Sequence, residues 1–218
     1  MTAEAPVEAA GTARVEHLVT SGVFRLDGQD FEVDNNVWLV GDDDEVVVVD
    51  ASHDAEAILT AVDSRRLVAV VSTHGHNDHI DAAGEVADAT GAPVLLHPDD
   101  RMLWQVVHPD RVPDDLADRQ VIPVAGVELQ VLHTPGHAPG AVCLYAPALG
   151  VLFSGDTLFL GGPGATGRSF SSFPTILDSI RERLLTLPPQ TRVLTGHGQS
   201  TTIGAEAGAY DDWVARGH

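Results

Sequence analysis

Residues His74-Gly75-His76-Asn77-Asp78-His79 place four side chains that bind divalent cations within six positions, too few for all four to share one ion. Three further groups of the same kind each lie in a glycine-containing turn after an apolar run. They are His137 in Thr134-Pro135-Gly136-His137, Asp156 in Phe153-Ser154-Gly155-Asp156, and His197 in Thr195-Gly196-His197. Imidazole nitrogen and carboxylate oxygen, with no thiolate, suit zinc, iron or manganese. Seven such groups are enough for two ions. His74 and His76 alternate along an extended segment and can face one ion, with His137 completing that set. Asp78 and His79 turn the other way and can serve a second ion with His197. Asp156 has two oxygens to share and is the natural bridge. Packed this tightly beside glycine, the four clustered side chains cannot be core residues without a large desolvation cost. A single histidine in a loop is more often solvated or simply hydrogen-bonded, so His53, His97, His108, His133 and His218 are read as ordinary. His133 alone is placed to orient a ligand.

The elements that must position these residues follow from the apolar pattern. Residues 37–40 and 46–50 flank Gly41-Asp42-Asp43-Asp44 as a hairpin whose second strand is buried on both faces. A helix over 53–65 leads to a buried strand over 67–71, whose end delivers His74. Asp81 reads as the N-cap of a helix to Thr90 that Gly91 stops. Residues 94–96 form another core strand. Residues 98–123 are polar and proline-punctuated, with short helical turns at best. Strands are expected over 127–132, 142–145, 151–153 and 191–194, a glycine-rich loop over 161–167, and helices over 173–187 and 205–216. Alternating strands and helices in both halves predict two sheets with helices outside them. Strand ends in such layered α/β proteins converge on one edge, where sites form.

Composition bounds the function. The 218 residues suit one domain, expected over 14–218 after a flexible tail over 1–13, and the mean hydropathy is +0.04. The 32 acids against 12 basic residues, all arginine, give a net charge of −20, which repels a phosphate backbone and argues against nucleic acid. No apolar run reaches the length of a membrane span. The acidic start lacks the basic-then-apolar pattern of an export signal. The single Cys143 excludes an internal disulfide and fits a reducing cytoplasm.

Taken together these residues resemble the metallo-β-lactamase superfamily of metallohydrolases, in its short glyoxalase II-like branch of hydroxyacylglutathione hydrolases. The resemblance spans about residues 35 to 204. It rests on Asn35-Asn36, Asp50, Thr73 through His79, His133-Thr134-Pro135-Gly136-His137, Ser154-Gly155-Asp156-Thr157-Leu158-Phe159 and Thr195-Gly196-His197-Gly198. It implies an αββα sandwich of two mixed β-sheets flanked by helices. It also implies two divalent metals, with zinc foremost and iron or manganese as alternatives. One is held by His74, His76 and His137, the other by Asp78, His79 and His197, with Asp156 bridging. Only 21 residues follow His197, so the C-terminal helical domain that grips glutathione in full-length relatives of this branch has no counterpart, and glutathione specificity does not carry over.

The chemistry expected is hydrolysis. Between two cations about 3.5 Å apart a bridging water becomes hydroxide near neutral pH, and the same ions polarise an acyl carbonyl. Asp78 steers that hydroxide or accepts its proton. A thiolate departs without an acid whereas an amine needs one, so a thioester of a small thiol is the easier substrate. Arg168, in the loop after Asp156, is the expected anchor for an acidic substrate group. The partner is therefore a small anionic thiol conjugate, with glutathione or, as the GC-rich composition suggests, mycothiol as carrier. Any protein partner expected is a further copy of the chain, as a homo-oligomer. The alternatives are a mononuclear iron persulfide dioxygenase and a lactonase, and more remotely a metal-stabilised scaffold.

Overall fold

The structure is a computed structural model that describes residues 12–26 and 28–217. Its strands and helices, in chain order, are β1 (Arg14–Leu26), β2 (Gln29–Gly41), β3 (Glu45–Val49), α1 (Ala55–Val62), β4 (Arg66–Val71), α2 (Asn77–Ile80), α3 (Ala83–Thr90), β5 (Val94–Leu96), α4 (Arg101–Val107), β6 (Asp114–Asp115) and β7 (Val121–Val124). There follow β8 (Val127–His133), β9 (Val142–Ala146), β10 (Val151–Gly155), β11 (Leu158–Phe159), β12 (Gly162–Pro163), α5 (Phe173–Ser179), β13 (Arg192–Thr195), β14 (Thr201–Thr202), α6 (Ile203–Ala207) and α7 (Tyr210–Arg216). One sheet has the order β1-β2-β3-β4-β5-β6 and the other β14-β13-β10-β9-β8-β7, with β11-β12 a separate ribbon. Both large sheets are mixed. In the first, β3 to β6 run parallel and β1 to β3 antiparallel; in the second, only β10 and β13 are parallel.

Side-chain alternation explains the layering. In β3, Val47 and Val49 enter the core between the sheets while Val46 and Val48 face the helices outside. In β10, Val151 and Phe153 take the inner core and Leu152 the outer one. Helices α1, α3 and α4 cover the first sheet, and α5, α6 and α7 the second. The result is the αββα sandwich of two mixed sheets.

Several boundaries differ from the sequence reading. The strand expected at 37–40 is the end of a 13-residue strand paired along its length with an equally long β1. Strand β7 includes Pro123, tolerated because β7 is the edge of its sheet. Asp81 does not cap α3: its carboxylate is taken by His53, and α3 starts at Ala83 without a side-chain cap. The helix expected over 173–187 turns into a π-helical turn over Ile180–Leu184, and the last helix is broken between α6 and α7. Residues 1–11 of the expected tail lie outside the described residues, and Ala13 is fully buried.

Candidate metal centre

The loops after β4, β8, β10 and β13, with the one-turn helix α2, meet at one edge of the sandwich. Contacts across the two sheets hold that edge together. Asn36 donates its N–H to Gly196 O at 2.8 Å, the Trp38 indole donates to Thr195 O at 3.0 Å, and Val142 N–H donates to Thr73 O at 2.8 Å. Two glycines permit the closeness. A Cβ on Gly75 would lie 2.9 Å from Leu103 Cβ, so glycine lets α4 pack against the His74–His76 segment. A Cβ on Gly196 would lie 2.4 Å from Asp156 Oδ1 and 2.7 Å from His79 Cε1.

All seven residues singled out in the sequence come together here. His76 Nδ1 lies 3.0 Å from both His74 Nε2 and His137 Nε2. His197 Nε2 lies 3.1 Å from His79 Nε2 and 3.2 Å from Asp78 Oδ2, and Asp78 Oδ2 is 3.5 Å from His79 Nε2. Asp156 stands between the triads. Its Oδ2 is 3.6 Å from both His137 Nε2 and His197 Nε2, and its Oδ1 is 3.5 Å from His79 Nε2. Asp156 Oδ1 is buried with no hydrogen-bond partner. Four zinc–nitrogen bonds of 2.0–2.1 Å give a tetrahedron whose edges are about 3.3 Å. The 3.0–3.6 Å separations are close to that edge, a spacing at which each triad could hold a cation.

The far side of the rings supports the same assignment. His79 Nδ1 donates to Asp50 Oδ2 at 2.9 Å, His137 Nδ1 to Ala165 O at 2.8 Å, and His197 Nδ1 to Asp34 O at 2.8 Å. His74 Nδ1 meets Thr73 Oγ1 at 3.1 Å, and that hydroxyl donates onward to Asp50 Oδ2 at 2.8 Å. With Nδ1–H committed outward, each Nε2 turns a lone pair inward.

Charge differs between the triads. Burial pushes His74 well below the ordinary imidazole range, and burial with the His137 imidazole brings His76 down to about 3; His137 is lowered by burial too. In the other triad burial acts against charge but is outweighed. Asp156, Asp78 and Asp50 raise His79, and Asp78 and Asp156 raise His197. Asp78 is held down to about 2, since His79 and His197 overcome its burial, and Asp156 is well below the usual carboxylate range for the same reason.

Two outer residues have roles that the sequence reading did not assign. Asn35 Nδ2 donates to Asp78 Oδ2 at 3.3 Å, and Asn35 Oδ1 lies 2.9 Å from His53 Nε2. His53, read as ordinary, thus links Asp81 to Asp78 through Asn35. Asp50 and His53 have φ of 58° and 59°, unusual for residues other than glycine. His133 orients no ligand: its Nε2 lies 2.9 Å from Pro139 O, and its ring stacks on His97 at 4.1 Å. His97, Asp99 and His133 form a further cluster of ligand-type atoms. Their two rings are stacked within 10° of parallel, so no ion can lie in both ring planes where the lone pairs point.

Above the triads is a hollow lined by His76, Asp78, His137, Asp156 and His197, with Phe24, Val33, Asp34, Ala165 and Arg168. The Arg168 guanidinium lies 5.3 Å from the centre of the Phe24 ring, at the mouth.

The chain belongs to the metallo-beta-lactamase superfamily, which it matches over residues 31–197. It is 33% identical over 186 residues to a protein of Bacillus subtilis named "probable metallo-hydrolase YqgX", covering 78% of this chain and 88% of that one. It is 30% identical to the hydroxyacylglutathione hydrolase GloC of Haemophilus influenzae over 78% of this chain and 89% of that one. The solved structure of TTHA1623 in a di-iron-bound form superposes with a TM-score of 0.72 at 33% identity, covering 80% of this chain and 93% of that one. The superfamily binds divalent metals, and its members are hydrolases.

Proposed function

We propose that this protein is a binuclear metal-dependent hydrolase that cleaves a thioester of a small thiol. The observation that carries the reading is the pair of triads, His74/His76/His137 and Asp78/His79/His197, with the unsatisfied Asp156 carboxylate between them. Two divalent cations there, with zinc foremost and iron or manganese as alternatives, supply a water acidic enough to attack at neutral pH and a Lewis acid for the acyl carbonyl.

The chain's own residues do the rest. The Asp78 carboxylate, in the lining of the hollow beside His197, would steer the attacking water. Asp156 spans both triads and fixes their spacing. Asp50 and Thr73 hold His79 and His74 in the tautomer that points Nε2 inward. Arg168 anchors an anionic group of the thiol portion; its guanidinium lies on Phe24, and no ion pair with a carboxylate engages it among the described residues. A thiol of pKa ~8.5 leaves as thiolate without a proton donor. The described lining includes no Lys, Tyr or Cys to protonate an amine, which favours a thioester over an amide.

We place the protein in the cytoplasm. The only cysteine, Cys143, is buried, with its thiol pushed up to about 11 by that burial, which keeps it reduced and inert. No described helix is long and apolar enough to cross a membrane. The test is metal content per chain together with rates on S-lactoylglutathione, a mycothiol thioester and a lactone. Two ions per chain and preferential thioester cleavage are expected. A single iron with oxygen uptake on a thiol persulfide, or inertness toward every thioester after reconstitution, would overturn the reading.

A further inference from the structure

Past His76 the hollow over the triads continues into a second cavity of about 160 Å³. One side of it is apolar, formed by Phe24 of β1, by Leu103, Val106 and Val107 of α4, and by Phe170; Asn77, Ser169 and Ser171 are among the polar residues of the rest. The two hollows share Phe24, His76, His137, Ala165 and Arg168, so a molecule lying over the triads reaches directly into the second. Val106 and Phe170 are 82% and 61% exposed, and apolar surface gathered at a cleft marks a place of binding. In a chain with 32 acids, no carboxylate lines this cavity, and two of the twelve arginines do, Arg25 and Arg168.

We propose that this cavity is the acyl subsite. It takes an apolar acyl chain of about six carbons, or a phenyl group, since an apolar cavity of ~150 Å³ takes up a benzene ring. The inference rests on the hydrolase reading above and narrows its substrate class. The acyl end is the occupant of the side formed by Phe24, Leu103, Val106, Val107 and Phe170, which offers the polar groups of glutathione or mycothiol no partner, whereas Arg168 at the junction of the two hollows is left to the thiol portion. A lactoyl group is too small and too polar to fill the same space. The reaction balances as ordinary hydrolysis. Water oxygen bonds to the acyl carbon, the carbon–sulfur bond breaks, and the sulfur leaves with the electron pair. The products are a carboxylate, a thiolate and two protons, one of which the thiolate takes up near neutral pH.

Two measurements test it. In the first, kcat/KM is compared for acetyl-, butanoyl-, hexanoyl- and octanoyl-glutathione on the metal-loaded protein. It rises by about fourfold per methylene to hexanoyl and then levels, as expected for methylenes transferred from water. Val106→Asp, at an exposed position that the fold does not depend on, flattens that rise. In the second, hexanoate titrated into the protein shifts the amide resonances of Gly75, Leu103 and Val106, whatever the enzyme hydrolyses. Acetyl and hexanoyl thioesters cleaved equally well, or no shift at those amides, would overturn the subsite. Hexanoate shifts without cleavage of any thioester would overturn the hydrolase reading and leave the cavity as an apolar carboxylate site.

Discussion

Asp50 and His79 are joined at the edge where the ligand loops meet, the imidazole Nδ1–H donating to Asp50 Oδ2 over 2.9 Å with both side chains sealed from water. The same carboxylate accepts from the Thr73 N–H at 2.7 Å and the Thr73 hydroxyl at 2.8 Å, and that hydroxyl meets His74 Nδ1. One side chain therefore orients an imidazole in each triad. Asp50→Asn keeps the shape and tolerates φ of 58°, but turns an amide N–H toward one of three donors. Losing such an orienting partner lowers metal affinity by about 10–100-fold. Cation titration against a competing chelator, with circular dichroism to confirm the fold, checks this. Unchanged affinity would show that Asp50 does not set the ring.

The triads differ in what a cation must displace. His74, His76 and His137 are held below the ordinary imidazole range, chiefly by burial, and carry no proton near neutral pH. His79 and His197 are raised by the neighbouring carboxylates and keep a proton to higher pH than a free imidazole does. A cation entering the first triad thus displaces fewer protons than one entering the second. Affinity of the second triad strengthens as pH rises through neutrality, and that of the first changes little. Calorimetry in buffers of different ionisation enthalpy resolves the two steps; equal proton release at both contradicts the assignment.

Much of this site was legible because each ligand follows a core strand in a glycine turn, a pattern that is local. His53 was not, since its partners Asp81 and Asn35 lie 28 and 18 positions away and nothing nearby announces a φ of 59°. Asp81 looked like a cap because an acid before a helical run usually is one, yet the tertiary partner won. Strand β1 was missed for another reason. Much of the distal part of its hairpin with β2 is exposed, so no apolar alternation marks it. The layering was readable from β3, β9 and β10, whose apolar runs need a hydrophobic layer on each face.

Gly196→Ala tests how closely the bridging carboxylate is packed. The added methyl would sit 2.4 Å from Asp156 Oδ1 and 2.7 Å from His79 Cε1, so one of them must move. A displacement near 1 Å at reacting groups costs on the order of 10²-fold in rate. Hydrolysis is expected to fall by that factor while the fold survives. Wild-type rates in Gly196→Ala would mean that Asp156 lies outside the reacting centre.

Removing metal should cost stability as well as activity. Asp156 Oδ1 is buried without a hydrogen-bond partner, and a bound cation would satisfy it. Free cation a hundredfold above Kd contributes about 2.7 kcal/mol to the folded state. For a chain of this size that corresponds to roughly 5–10 °C in Tm. Thermal melts with zinc and then with excess chelator should differ by this amount, and an unchanged Tm would argue that the triads hold no ion.

Asp100 ties the first ligand loop to the second. Its Oδ2 accepts from Gly75 N at 2.9 Å and its Oδ1 from Gly140 N at 2.6 Å. Burial nevertheless pushes the carboxyl up to about 6, overcoming both N–H groups. Between its ordinary value of 3.8 and that value, the folded chain binds more protons than the unfolded one, so stability falls as pH rises through this window. A gap of about two pH units is worth about 3 kcal/mol. Asp100→Asn cannot titrate, and it forfeits one of the two hydrogen bonds at every pH. The variant is therefore expected to be less stable than wild type near pH 4 and to gain on it by about 2 kcal/mol on reaching pH 6, the last few tenths of a kcal/mol coming by pH 7. Urea unfolding of both proteins across this range supplies the difference. A gap that stays constant with pH would mean that Asp100 ionises as freely in the folded chain as in the unfolded one.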